Sequence, residues 1–253
     1  MAAATHHGRI RIAALAVVVV LLSAGCVSVP DWYRKYQLPY RAHPELDRRA
    51  RAVRVVGLLP PEIKIYELSA GGVTELRDEW SAAGRDAVVQ GLTEVFTERG
   101  IAIRPLTLDK DQQRTVDDVT LLYRAVSSSI IEHTYKEHPF HTKLERFEYS
   151  VGALDTLLQK SQADALVIVY GVDEISTNGR KALRGVGLVL GAVTGQPVVS
   201  SGMTALNIAL VDRSGTVLWY KIAGDSGGFD LRDGKSAKSF VQRLVADFPA
   251  LGR

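Results

Sequence analysis

The spacing of apolar residues divides this chain into elements of different period. Glu75 to Arg99 places Leu76, Trp80, Ala83, Ala87, Val88, Leu92, Val95 and Phe96 at three- and four-residue steps. That pattern predicts an amphipathic helix, and Gly100 stops it. A second helix is predicted from Val116 to about Glu132, with Val119, Leu122, Tyr123, Val126 and Ile130 on one face. Val151 to Gln162 and Lys235 to Phe248 also read as helical; the latter turns Phe240, Val241, Leu244, Val245 and Phe248 inward. Continuous apolar runs mark buried strands instead. The strongest is Asp164 to Ile175, and Val53 to Leu59 is a shorter one, ended by Pro60-Pro61. After that break Ile63 to Tyr66 predicts an edge strand, and Ile101 to Leu106 a further strand. Met203 to Val211 and Thr216 to Ala223 form a hairpin around Asp212 to Gly215. His133 to Tyr149 reads as a linker. The resulting order, β-α-β-α-α-β-(apolar insert)-β-β-α, predicts the α/β (α+β) class: a single domain with one mixed β-sheet covered by helices.

The amino terminus has a different organisation. Arg9 and Arg11 precede an apolar run of eleven residues, Ile12 to Leu22, and the small residues Ser23, Ala24 and Gly25 lead to Cys26. Eleven residues fall short of the roughly 20 a helix needs to cross a bilayer, but they match the apolar region of a secretion signal. Val27 to Ala50 holds three prolines, four aromatics and many charges without apolar periodicity, and so predicts an extended tether. Fully extended, its 24 residues would cover at most about 80 Å. Trp32, Tyr33, Tyr36 and Tyr40 lie in this stretch; they either contact lipid headgroups or pack back onto the domain.

Composition narrows the function classes. The 253 residues are 46% hydrophobic and 23% charged, which suits a globular chain and not a disordered one. A single cysteine excludes intramolecular disulfides and four-cysteine zinc sites. The net charge of +3 falls to +1 once residues 1–25, with Arg9 and Arg11 and no acid, are set aside. Nucleic-acid binding therefore has no electrostatic footprint.

The segment Leu22-Ser-Ala-Gly-Cys26 resembles the lipobox of bacterial lipoproteins. In that family the cysteine thiol is diacylglycerylated, the signal is cut before it, and the new amino group is acylated. Ser23 stands where leucine is commonest. Val27 follows the cysteine, where lipoproteins retained in the inner membrane typically carry Asp, so the resemblance implies the outer membrane, facing the periplasm. The division implied is 1–25 signal peptide, 26–50 lipid-anchored tether and 51–253 periplasmic α/β domain, with an apolar Gly-rich insert at 180–199. The helix–Ala163-Asp-Ala-Leu-Val-Ile-Val-Tyr-Gly-Val-Asp-Glu174–hairpin–helix ending resembles a group that includes the curli-secretion and Pel exopolysaccharide lipoproteins, the lipoprotein activators of penicillin-binding proteins and the TolB amino-terminal domain. Ser176 to Leu183, with Val217-Leu-Trp219, is similar to an uncharacterised proteobacterial lipoprotein set. The wider resemblance implies a TolB-amino-terminal-like fold, partner binding, often in rings, and no catalysis or cofactor.

Candidate chemistry is sparse. Gly224-Asp-Ser-Gly-Gly228 reproduces the sequence around the nucleophile of trypsin-like proteases, but Phe229 replaces the proline that follows there, and the predicted helices do not suit that fold. His133, His138 and His141 lie close together, but Pro139 breaks the helical spacing a zinc pair needs. The carboxylates Asp173, Glu174, Asp225, Asp230 and Asp233 fall near strand ends, where capping and turn roles suffice. The insert stands out most. Gly187, Gly191 and Gly195 are four apart and flank Leu188 and Leu190, so on a helix the glycines would form one smooth stripe. A buried core helix, an oligomer or partner contact and a membrane-surface element all fit it, and these five residues are the candidate interaction site. The function expected is a non-catalytic scaffold or assembly factor. It would be held to the membrane through acylated Cys26 and bind other envelope proteins or itself. The alternatives are a subunit of an export or polysaccharide-secretion complex, and a metal-dependent hydrolase or ligand-binding lipoprotein using the histidine loop.

Overall fold

The computed structural model describes residues 30–182 and 202–252. The chain runs α1 (Asp31–Gln37), β1 (Tyr40–Ala42), α2 (Leu46–Ala50), β2 (Val55–Leu58), β3 (Glu62–Leu68), β4 (Thr74–Leu76) and α3 (Asp78–Glu98). It continues through β5 (Ala102–Pro105), α4 (Lys110–Thr134), α5 (His141–Glu145), α6 (Asp155–Ser161), β6 (Ala165–Ser176), β7 (Thr204–Asp212), β8 (Val217–Asp225) and α7 (Gly234–Leu244). All eight strands among the described residues join one open mixed sheet, and helices cover both faces, as the apolar pattern predicts.

The sheet is built around β6, whose unbroken apolar run suits a strand buried on both faces. The first part of β6 pairs in parallel with β2, Val56 opposite Ala165, and its second part pairs in parallel with β3, Glu62 opposite Tyr170. Pro60 and Pro61 separate the two, because neither supplies an N–H to the ladder. β2 and β3 thus run one after the other along the same side of β6. On the other side β7 pairs antiparallel from Ala165 opposite Asp212 to Asp173 opposite Thr204, and β8 and β1 follow. β3 is not the predicted edge strand. The chain reverses through Gly72, which has a φ of 83°, and β4 pairs outside it. Glu75 and Leu76, predicted to open the helix, pair in β4 instead, and α3 begins at Asp78.

Alternation along β6 divides the core. Val167 and Val169, with Ile208, Leu210 and Trp219, face α3 and α7. Leu166 and Ile168, with Ala209, Val211 and Tyr220, face α4 and α6. A bulge in β8 lets Val217 pair with Val211 and Trp219 with Leu210, which turns both Leu218 and Trp219 toward the α3–α7 side. Helices α3 and α7 approach closely at Gly91, where a Cβ would lie 3.2 Å from Lys238 Cα. Beneath α4 two pairs of buried polar groups meet: Tyr123 donates to Asn207 Oδ1 at 2.6 Å, and Ser127 Oγ meets the Tyr220 hydroxyl at 2.8 Å.

From Asp31 the chain is folded, so the extended tether expected through Ala50 is corrected. β1 is an edge strand against β8, and α1 lies on α5, with the Trp32 ring stacked 3.7 Å from that of His141. The linker expected at His133–Tyr149 likewise contains α5. One buried side chain secures this arrangement. Arg41 reaches inward from β1 and donates through Nε and Nη2 to Thr134 O, the end of α4, at 3.1 and 2.6 Å. Nη1 donates to Leu38 O at 2.7 Å and Lys35 O at 3.3 Å, the end of α1, and to Tyr40 O at 2.9 Å. The guanidinium lies 4.0 Å from the centre of the Tyr135 ring. Carboxyl-terminal carbonyls of two helices carry partial negative charge, so a cation between them satisfies acceptors and both dipoles together. Arg41→Leu leaves buried carbonyls unpaired and is expected to cost about 2–3 kcal/mol of stability in urea titration. A loss below about 0.5 kcal/mol, typical of exposed surface positions, would show that the bonds contribute little.

Candidate functional site

The predicted site residues separate into two groups. Cys26 and the insert residues Gly187, Leu188, Leu190, Gly191 and Gly195 lie outside the described residues, and the structure shows the elements from which these two segments depart. Cys26 is four residues before Pro30, at the start of α1. The insert joins β6 to β7, two neighbouring antiparallel strands that a tight turn could connect. It leaves after a helical stretch at 178–182 and returns at Gly202, whose φ is 101° and whose Cβ, if added, would meet Glu174 O at 1.9 Å.

The end of the sheet where the insert departs is held by polar side chains. Asp173 is fully buried on β6; it accepts from Thr204 Oγ1 at 2.7 Å and from the Leu231 N–H at 2.9 Å. It thereby ties β7 and the approach to α7 onto the central strand. Burial raises its carboxyl above the ordinary range, against the lowering effect of these two bonds. Next to it Arg232 bonds both oxygens of Asp230, at 2.9 and 2.7 Å, and this pairing lowers the Asp230 carboxyl and raises Arg232. The Arg232 guanidinium also lies 4.1 Å from the Trp80 ring centre, with Arg77 at 5.1 Å and paired to Glu67 at 2.8 Å. Arg180, buried, donates to Ser69 O at 3.3 Å and so fixes the root of the insert to the β3–β4 turn. Asp233 caps α7 by accepting from the Ser236 N–H. A shallow cleft of about 340 Å³ opens here, lined by Glu174, Ser176, Lys181, Phe229 and Asp230.

The other motifs resolve into local structure. In the GDSGG loop Asp225 Oδ1 accepts from the Gly228 N–H at 2.7 Å and Oδ2 pairs with Arg243 at 3.2 Å, so the aspartate holds its own turn. The three histidines are not gathered: His133 bonds Ser129 and stacks on Phe140, while His141 stacks on Trp32. Among the described residues no group of three His, Cys, Asp or Glu is placed to hold a metal ion. Arg41 and the Arg232–Trp80 stack had no sequence signal, since the partners of Arg41 are backbone carbonyls and Arg232 is distant from Trp80 in the chain. No protein-family model matches the chain, and no curated protein does.

Asp173 gives a pH dependence of definite sign. A carboxyl whose folded pKa lies above its unfolded value contributes stability that is fully present below the unfolded value, near 3.8, and is lost as pH rises through the folded value. Asp173→Asn removes this dependence. The stability advantage of the natural protein over the variant is therefore expected to shrink as pH rises from that acid limit toward neutrality, in denaturant titrations at several pH values. An advantage that is constant, or that grows with pH, would contradict the assignment.

Proposed function

We propose that the chain is a lipid-anchored lipoprotein of the outer membrane whose periplasmic α/β domain works without catalysis, as a scaffold that binds another envelope protein or further copies of itself. The observation that carries the reading is the join between address and domain. A basic, apolar and small-residue signal ends in Leu22-Ser-Ala-Gly-Cys26, and α1 begins five residues after that cysteine. The resemblance to lipobox proteins and to the curli-secretion and TolB amino-terminal group supports it. Among the described residues no helix is long and apolar enough to cross a membrane, which is compatible with anchoring through acyl chains. At the insert's end of the sheet Asp173, Asp225, Asp230 and Asp233 are engaged in internal bonds that hold the fold, so the reading gives them no catalytic part. The insert departs from that end of the sheet. Its Gly187, Gly191 and Gly195 spacing favours a contact between copies, the arrangement of an export or polysaccharide-secretion subunit.

Mass spectrometry and light scattering of the mature protein in mild detergent test both halves. The expected product begins at acylated Cys26, and Cys26→Ser releases the protein from the membrane fraction. A mature terminus elsewhere, or an unmodified thiol, would overturn the anchor. Gly191→Leu is expected to reduce the assembled mass while leaving the circular dichroism unchanged; unaltered assembly would remove the insert from the contact.

A further inference from the structure

The anchor and the first helix are too close to act independently. Three residues lie between Cys26 and Pro30, and α1 begins five chain steps from the cysteine; extended chain covers at most about 3.6 Å per residue, so the start of α1 stays within about 18 Å of the acylated cysteine. The headgroup zone on one side of a bilayer is of order 5–8 Å deep. Nor can α1 swing away freely, because Arg41 binds its terminal carbonyls, Lys35 Nζ donates to Glu145 O at 3.1 Å and the Tyr36 hydroxyl donates to Lys136 O at 3.2 Å.

These bonds join α1 and residues 135–146 into one ledge, and its outer surface is aromatic and basic. Tyr33 is 44% exposed and Phe140 56% exposed. Trp32 lies between them, edge-on to Tyr33 and stacked on His141, the residue after Phe140. Across 31–38 and 135–146 the basic residues Arg34, Lys35, Lys136, Lys143 and Arg146 outnumber Asp31, Glu137 and Glu145. Amphipathic rings flanked by cations are the composition that settles at a lipid headgroup surface.

We propose that this ledge rests on the phospholipid surface and gives the anchored domain a fixed orientation; the proposal assumes acylation of Cys26. Orientation then follows from the fold. The ends of β6 and β7 beside Asp173, from which the insert departs, lie away from the ledge and would be held at a constant height above the membrane.

The test uses the mature full-length protein in vesicles of phosphatidylcholine and phosphatidylglycerol, with tryptophan quenching by lipids brominated near the headgroup end of the acyl chain. Mass spectrometry of the same sample reports acylation separately. The expected result is quenching that Trp32→Phe largely removes, since Trp219 is in the core and Trp80 lies on α3 between Arg77 and Arg232. Tyr33→Asp with Phe140→Asp, both at exposed positions, is expected to reduce Trp32 quenching without altering far-ultraviolet dichroism or the urea unfolding midpoint. An acylated protein whose Trp32 is not quenched would overturn the ledge while leaving the anchor intact. An unacylated protein would overturn the anchor. Trp32 shielded only as protein concentration rises would assign the face to a second copy and overturn the lipid contact.

Discussion

A guanidinium taken out of water must find acceptors for its donors, and in this domain Arg41 finds them at the ends of two helices. That constraint fixes how the amino-terminal elements dock on the sheet edge. The carboxyl terminus of α4 is fixed relative to the sheet edge because Thr134 O receives two Arg41 bonds. The same group holds α1 through Lys35 O and Leu38 O. Burial lowers the pKa of Arg41, with the nearby Tyr135 and Tyr36 acting in the opposite direction. Among the described residues the Arg41 guanidinium bonds only carbonyls and faces the Tyr135 ring, so the arrangement works through carbonyl dipoles and an aromatic face.

The remainder follows from β6. A strand apolar on both faces requires helices on both faces, and the chain supplies α3 with α7 on one and α4 with α6 on the other. The two proline residues break its parallel neighbour into β2 and β3. The opposite neighbour, β7, is reached through the insert. The amino-terminal elements therefore join the sheet at one edge, where β1 pairs with β8, and the two ends of the insert lie beside the centre of the sheet. In the proposed role the first fixes position and the insert is what a partner meets.

Much of this fold was legible in the sequence. The helical spacing in α3, the Gly100 stop, the apolar run of β6 and the Asp212–Gly215 hairpin each encode local preferences that the tertiary structure reinforces. The unread parts depend on non-local partners. Tyr40–Ala42 is three residues long and has no pattern of its own; it is a strand because β8 offers an edge and Arg41 has a cage to fill. Thr74–Leu76 continues a helical spacing but pairs with β3 once the glycine turn brings it there. The candidate site was less legible. Gly187, Gly191 and Gly195 are conspicuous as a pattern, yet spacing alone does not show what packs on them. Asp173 is recognisable as an acid within an apolar strand, but its partners Thr204 and Leu231 are remote in sequence.

The central claim is that the fold is already established across Asp31–Ala42 rather than beginning after Ala50. Hydrogen exchange of the mature, acylated protein tests it most directly, read at Leu38, Arg41 and His43. The His43 N–H donates to Leu218 O at 2.9 Å, and β1 is paired to β8 along its length. The account predicts protection of Arg41 and His43 approaching that of β8, with Leu38 slower than free chain. Exchange of all three at the rate of an unstructured peptide would return residues 27–50 to a flexible tether and contradict the account.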